Sequence, residues 1–160
     1  MWVKHIVSAI LFVTLLQFGP AFATTVSGTV SGTVSGTVTG VWSTEGGKSH
    51  VEISNCEEEG KLCGRIIWLK EPLNDQGKPK HDANNPDISF QARPIVGLPL
   101  LANFVPGDEA GVWGDGTIYT PEDGETYSCT MSLLDADTLK VRGYVGLPLF
   151  GKSQIWTRVN

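Results

Sequence analysis

The side chains able to do chemistry in this sequence are few and scattered. Beyond residue 23 there are two histidines, His50 on a strand-like run after Gly46-Gly47 and His81 in a polar stretch. The chain has no Gly-x-Ser-x-Gly elbow and its sequence shows no Cys/His pairing, so acyl transfer by a catalytic triad has no support. Asp82, Asn84, Asn85 and Asp87 concentrate oxygen atoms that would suit calcium. The EF-hand pattern fails, however, because its sixth position is Asp87 rather than glycine and its twelfth is Arg93 rather than glutamate. Asx-turns and capping of a short helix at 87–92 account for the same residues. Glu122, Asp123 and Glu125 offer paired carboxylates of the kind glycosidases use, but they lie in or beside Pro121-Glu122-Asp123-Gly124, a turn sequence that reads as a solvated hairpin tip. These groupings lead us to expect no enzyme, no metal and no cofactor.

Binding chemistry remains. Trp42, Trp68, Trp113, Trp156, Tyr119, Tyr127 and Tyr144 exceed what a turn-rich surface needs. Most belong in a core, where aromatic rings supply large buried area. Trp68, Trp113, Tyr119 and Tyr127 are the candidates to line a cavity, where an indole N–H or phenol O–H orients a ligand's polar end. The pattern Arg-x-x-Val-Gly-Leu-Pro-Leu occurs twice, at Arg93–Leu100 and Arg142–Leu149. Gly97 and Gly146 permit backbone angles closed to other residues, and Pro99 and Pro148 cannot donate to a sheet ladder. Each copy therefore reads as a strand leaving a sheet and setting leucines at its edge. Leu98, Leu100, Leu147 and Phe150 would then form the rim of a ligand mouth or a surface for a partner; packed corners at the end of a core are the plainer alternative. Arg93 near an apolar cavity would suit a carboxylate head group. Arg142, between Val141 and Gly143, reads as outward-facing.

The elements that must position these residues begin after an N-terminal targeting signal. Lys4 and His5 precede an apolar run from Ile6 to Phe18, and Ala21-Phe22-Ala23 supplies a small-x-small cleavage site. Residues 1–23 thus read as a secretory signal peptide, and the run is shorter than the ~20 residues of a membrane-spanning helix. Export to the periplasm or beyond is expected, with no membrane span in the mature chain. Cleavage removes one lysine and no acid, taking the formal charge from −5 to −6. An acidic chain without a Lys/Arg cluster is a poor partner for nucleic acid. Residues 24–39, with Val-Ser-Gly-Thr repeated from Val26 to Thr37, read as a flexible linker, although the period of four would also allow an edge strand.

From residue 40 to 160 the pattern becomes short apolar runs between turn residues. Strands are expected at Val41–Thr44, Ser49–Ser54, Cys63–Leu69, Thr117–Thr120, Glu125–Leu133, Thr138–Val145 and Ser153–Val159. Cys63–Leu69 is apolar enough for burial on both sides. Tyr127, Cys129, Met131 and Leu133 share one face, as do Leu139, Val141 and Val145, and Ile155 and Val159; such alternation means an antiparallel sheet with one buried face. Cys56 and Cys63 bracket a charged turn, and a hairpin could bring their α-carbons within the ~4.4–6.8 Å of a disulfide, which export would favour. Cys129 alternates with apolar residues and reads as a buried thiol. Seven to nine short strands with one short helix imply an all-β sandwich or barrel. About eight strands would close around side chains or one small ligand.

Two end motifs favour the barrel. Gly40-Val41-Trp42 and Trp156-Thr157-Arg158 resemble the closure of lipocalin-like barrels, in which an arginine of the last strand lies across the tryptophan of the first. The domain is also similar to the exported bacterial family called domain of unknown function 2147. That resemblance rests on Leu62–Leu69, Asp82–Pro86, Arg93–Leu98, Ile118–Gly124, Leu139–Tyr144 and the terminal Trp-x-Arg. It implies a single antiparallel lipocalin-like β-barrel in the bacterial envelope, binding a small apolar or amphipathic molecule as carrier, sensor or scavenger. It implies no catalytic residues. A protein-interaction module docking an envelope partner through the two Gly-Leu-Pro-Leu loops is the other expectation.

Overall fold

A computed structural model describes residues 36–160. The expected signal peptide and all but the end of the tetrapeptide repeat lie outside the described residues. Eight strands follow one another: β1 (Gly40–Ser43), β2 (Ser49–Asn55), β3 (Leu62–Leu69), β4 (Pro99–Pro106), β5 (Val112–Thr120), β6 (Glu125–Asp135), β7 (Thr138–Tyr144) and β8 (Lys152–Arg158). Each pairs antiparallel with its neighbour in sequence, and β1 pairs with β8 through Trp42–Arg158 and Ser43–Thr157. The sheet is a closed barrel with no free edge. Among the described residues no helix is long and apolar enough to cross a membrane.

Period-two alternation builds the interior. On β6, Cys129, Met131 and Leu133 stand opposite Gly143, Val141 and Leu139 of β7, and all but the glycine are buried. On β8 the inward set is Gln154 and Trp156, opposite Val141 and Leu139. Ile155 therefore points outward, the reverse of the face assigned from sequence, and Val145 lies beyond the end of β7 and is exposed. The expected burial of both faces of Cys63–Leu69 also fails. A register shift between His50 and Val51 moves the pairing from Val51–Ile66 to His50–Trp68, so Ile67 and Trp68 both lie on the outside.

β4 is the strand that propensity does not reveal. It opens on Pro99, and proline is tolerated as a first strand residue because no ladder hydrogen bond is lost there. The two Gly-Leu-Pro-Leu copies are consequently not equivalent. The first leads into a strand and buries Leu98 and Leu100, while the second follows β7 into a single 3-10 turn at Pro148–Phe150. Gly97 and Gly146 do share the left-handed backbone, with φ of 96° and 70°. The helix expected at 87–92 shrinks to one 3-10 turn, Ile88–Phe90, capped by the Asp87 carboxylate accepting from Ser89 N.

Up-and-down order puts the β2–β3, β4–β5 and β6–β7 connections, with both ends of the barrel chain, at one pole. That pole is plugged. The Arg158 guanidinium lies 4.2 Å from the ring centroid of Trp42, which is fully buried. Arg158 also donates to the carbonyls of Ala136, Thr39 and Thr37, and Trp42 Nε1 donates to Val38 O. Val38, from the end of the expected linker, is buried against this plug. Gly40 is required here, since its φ is 128° and a Cβ would meet Arg158 Nη1 at 2.8 Å. Cys56 and Cys63 form a disulfide across the β2–β3 hairpin at the same pole, with α-carbons 5.1 Å apart.

Candidate functional site

The opposite pole is open. The β1–β2, β3–β4 and β5–β6 connections surround a cavity of about 780 Å3 that descends between the strands. Ile66, Leu69, Ile95, Leu100, Ile118 and Trp156 give it an apolar wall. Thr44, Ser49 and Gln154 add polar groups that already have partners. Thr44 Oγ1 and Ser49 Oγ are 3.0 Å apart, and Gln154 Oε1 accepts from Trp156 Nε1 at 2.9 Å. A side chamber of about 320 Å3 shares Ile118, Thr120 and Gln154 with it and extends to Tyr127, Val141, Gly143 and Phe150. The lower barrel, by contrast, is filled by Trp42, Val51, Ile53, Phe104, Met131 and Leu139.

One wall of the cavity is held by a buried ionic cluster. Asp82 is fully buried on the β3–β4 connection. It accepts from Arg93 Nε at 2.9 Å and Nη2 at 2.8 Å, from Asn85 Nδ2 at 2.8 Å and from Tyr119 Oη at 2.6 Å. Burial pushes its carboxyl up. The bonds from Tyr119, Asn85 and Arg93, with the guanidinium charge, more than offset this and hold it below the usual carboxylate range. Tyr119 moves the other way, raised by burial and by its bond to Asp82. Asn84 Nδ2 clasps the carbonyls of Pro121 and Glu122, so the same connection is also fastened to the β5–β6 turn.

With that geometry in view, the family model described as an uncharacterized protein conserved in bacteria, DUF2147, matches residues 40–158. The chain belongs to this family. A solved structure with the same barrel is the Helicobacter pylori protein HP1028, described as belonging to the lipocalin family. It is 23% identical, covers 79% of this chain and 85% of its own, and has a TM-score of 0.66. At that identity the likeness concerns the fold. No curated protein matches the chain.

This DUF2147 barrel distributes the residues singled out from sequence unevenly. Leu100 and Tyr119 line the main cavity, and Tyr127 and Phe150 the side chamber. Leu98 is buried beneath the rim and Leu147 is exposed on the β7–β8 connection; neither lines a cavity, because the two octapeptide copies fold differently. Trp68 stacks on His50 on the outer surface, ring centroids 4.4 Å apart, displaced from the wall by the register shift in β3. Trp113 packs half-buried against the core. Arg93 is committed to Asp82 and lies over the rings of Phe90 and Tyr119. Arg142 faces outward and grips the β7–β8 connection through Pro148 O, Leu149 O and Ser153 Oγ.

The oxygen-rich residues are spent on structure. Asn85 Oδ1 accepts from Asp87 N in an Asx-turn, and Asp123 accepts from Thr120, Glu125 N and Tyr127 at the hairpin tip. Cys129 is buried, and desolvation pushes its thiol up to about 12. Sequence reasoning missed Ile66, Ile118, Gln154 and Trp156 as cavity residues. Counting inward by twos from Arg158, the residue that crosses Trp42, would have found the last two.

Proposed function

We propose that this protein is an exported envelope binder of a small hydrophobic or amphipathic molecule, acting as a carrier, sensor or scavenger rather than as an enzyme. The observation that carries the reading is the asymmetry of the barrel interior. One pole is packed and plugged by Arg158 over Trp42, and the other holds an apolar-walled cavity of about 780 Å3, within the ~300–1,000 Å3 usual for small-molecule sites. The Cys56–Cys63 disulfide supports an oxidising compartment. Titration with the apolar dye N-phenylnaphthylamine, followed by competition with long-chain alcohols, tests it. Saturable uptake that Ile118→Trp abolishes is expected, because Ile118 stands where the two chambers meet. Uptake unchanged by that substitution would place the dye elsewhere and contradict the reading.

A second reading has its own observation. Leu147 and Leu149 are 63% and 79% exposed and line neither chamber. Exposed apolar side chains beside a mouth fit a protein partner that receives or delivers the ligand. Leu147→Ser with Leu149→Ser should then abolish capture of a defined envelope protein while leaving dye uptake intact.

A further inference from the structure

Arg93, the cation that the sequence offers for a ligand's head group, is consumed by Asp82. The mouth contains another pair. Ser49 of β2 is the register partner of Leu69 of β3, and one step further out Lys70 N donates to Lys48 O at 2.9 Å. Lys48 and Lys70 therefore stand opposite one another across an antiparallel pair, and both line the main cavity. Like charges directly opposite one another destabilise a sheet unless something lies between them. Neither lysine takes part in an ion pair among the described residues, whereas Lys80, also at the mouth, is bound to Glu71.

We propose that Lys48 and Lys70 are the head-group site of this cavity and that its ligand is an amphipathic anion, with a carboxylate or comparable oxyanion at the mouth and its apolar body against Ile66, Leu69 and Ile118. The inference rests on the cavity reading above and names the substrate class of the same site. Two ammonium groups from neighbouring strands converge on one anion, which removes their mutual repulsion and adds charge-assisted hydrogen bonds. Leu69 and Ile66 of the apolar wall line the same cavity as the two lysines. Glu45 and Glu122 also reach the mouth, from the β1–β2 and β5–β6 connections. Discrimination between head-group charges is therefore the decisive measurement.

Protein produced from the full chain is titrated with dodecanoate, dodecanol and dodecylammonium, following the tryptophan fluorescence, to which Trp156 at the cavity wall contributes. The wild type should bind dodecanoate about tenfold more tightly than dodecanol, with the preference shrinking as salt is added. Lys48→Gln with Lys70→Gln should weaken dodecanoate binding about tenfold and so erase the preference. Lys48→Glu, which sets opposite charges across the pair and keeps the sheet intact, should erase it equally. Equal affinity for dodecanoate and dodecanol in the wild type, or a preference that survives both variants, overturns the lysine assignment and leaves the cavity reading standing. Tighter binding of dodecylammonium overturns it in favour of Glu45 and Glu122. Failure of all three probes to bind overturns the cavity reading, and this inference with it.

Discussion

The hydroxyl of Tyr119 donates a 2.6 Å hydrogen bond to the Asp82 carboxylate, which ties the wall of the barrel to the long connection that borders its mouth. Arg93 neutralises the same carboxylate from within that connection. Removing Arg93 leaves a buried anion with only neutral donors, so Arg93→Ala should lower stability by about 3 kcal/mol and weaken dye uptake as the wall loosens. Chemical unfolding alongside dye titration checks both.

The cluster also sets a pH dependence. Asp82 is held below its ordinary value of 3.8, so its contribution to stability is complete above that value and is lost as pH falls through the lower folded-state value. Tyr119 is held above 10.0, so its contribution is complete below that value and is lost as pH rises through the higher folded-state one. Melting temperature against pH should show both losses in the wild type, and Asp82→Asn should remove the acid-side loss that Asp82 causes.

At the plugged pole, Arg158→Ala gives up the contact with Trp42 and the bonds to three carbonyls, a loss of about 2 kcal/mol. Lysine in its place should restore only part of this, because it lacks the planar fork that reaches several acceptors. Ligand affinity should hold in both variants, since the cavity opens at the other pole. Urea unfolding and dye titration separate the two effects.

Gly143 faces the side chamber from an ordinary strand conformation, and a Cβ there would come 3.4 Å from Ile118 Cγ2. Gly143→Leu should fill that chamber and shorten the longest alkyl chain accepted, with little change in melting temperature. A series of alcohols of increasing length, titrated into both proteins, reads the shift.

Reduction of Cys56–Cys63 should cost about 2 kcal/mol, as befits a small closed loop, without altering affinity. In the oxidised native protein Cys129, with its thiol pushed up to about 12, should resist an aromatic disulfide reagent and react only after unfolding. Counting thiols before and after denaturant checks this.

The barrel was legible because β6 and β7 alternate cleanly and because Gly40-x-Trp42 and Trp156-x-Arg158 mark its first and last strands. β4 was not, since it begins with proline and carries Asn103 in the left-handed region at φ 64°, which interrupts the pattern. The site was harder still. Trp68 left the wall because of a register shift that no run of residue types announces. Arg93 was occupied by Asp82, eleven positions earlier, through a contact that depends on burial. Lys48 and Lys70 became a pair only once β2 and β3 were in register.

The most direct test of the account is native mass spectrometry of the protein purified without detergent, before and after addition of dodecanoate. A bound small molecule released on denaturation, or a single dodecanoate adduct that Ile118→Trp prevents, is the predicted result. A bare mass that stays bare in excess dodecanoate and dodecanol would contradict the claim that the open pole is a ligand site.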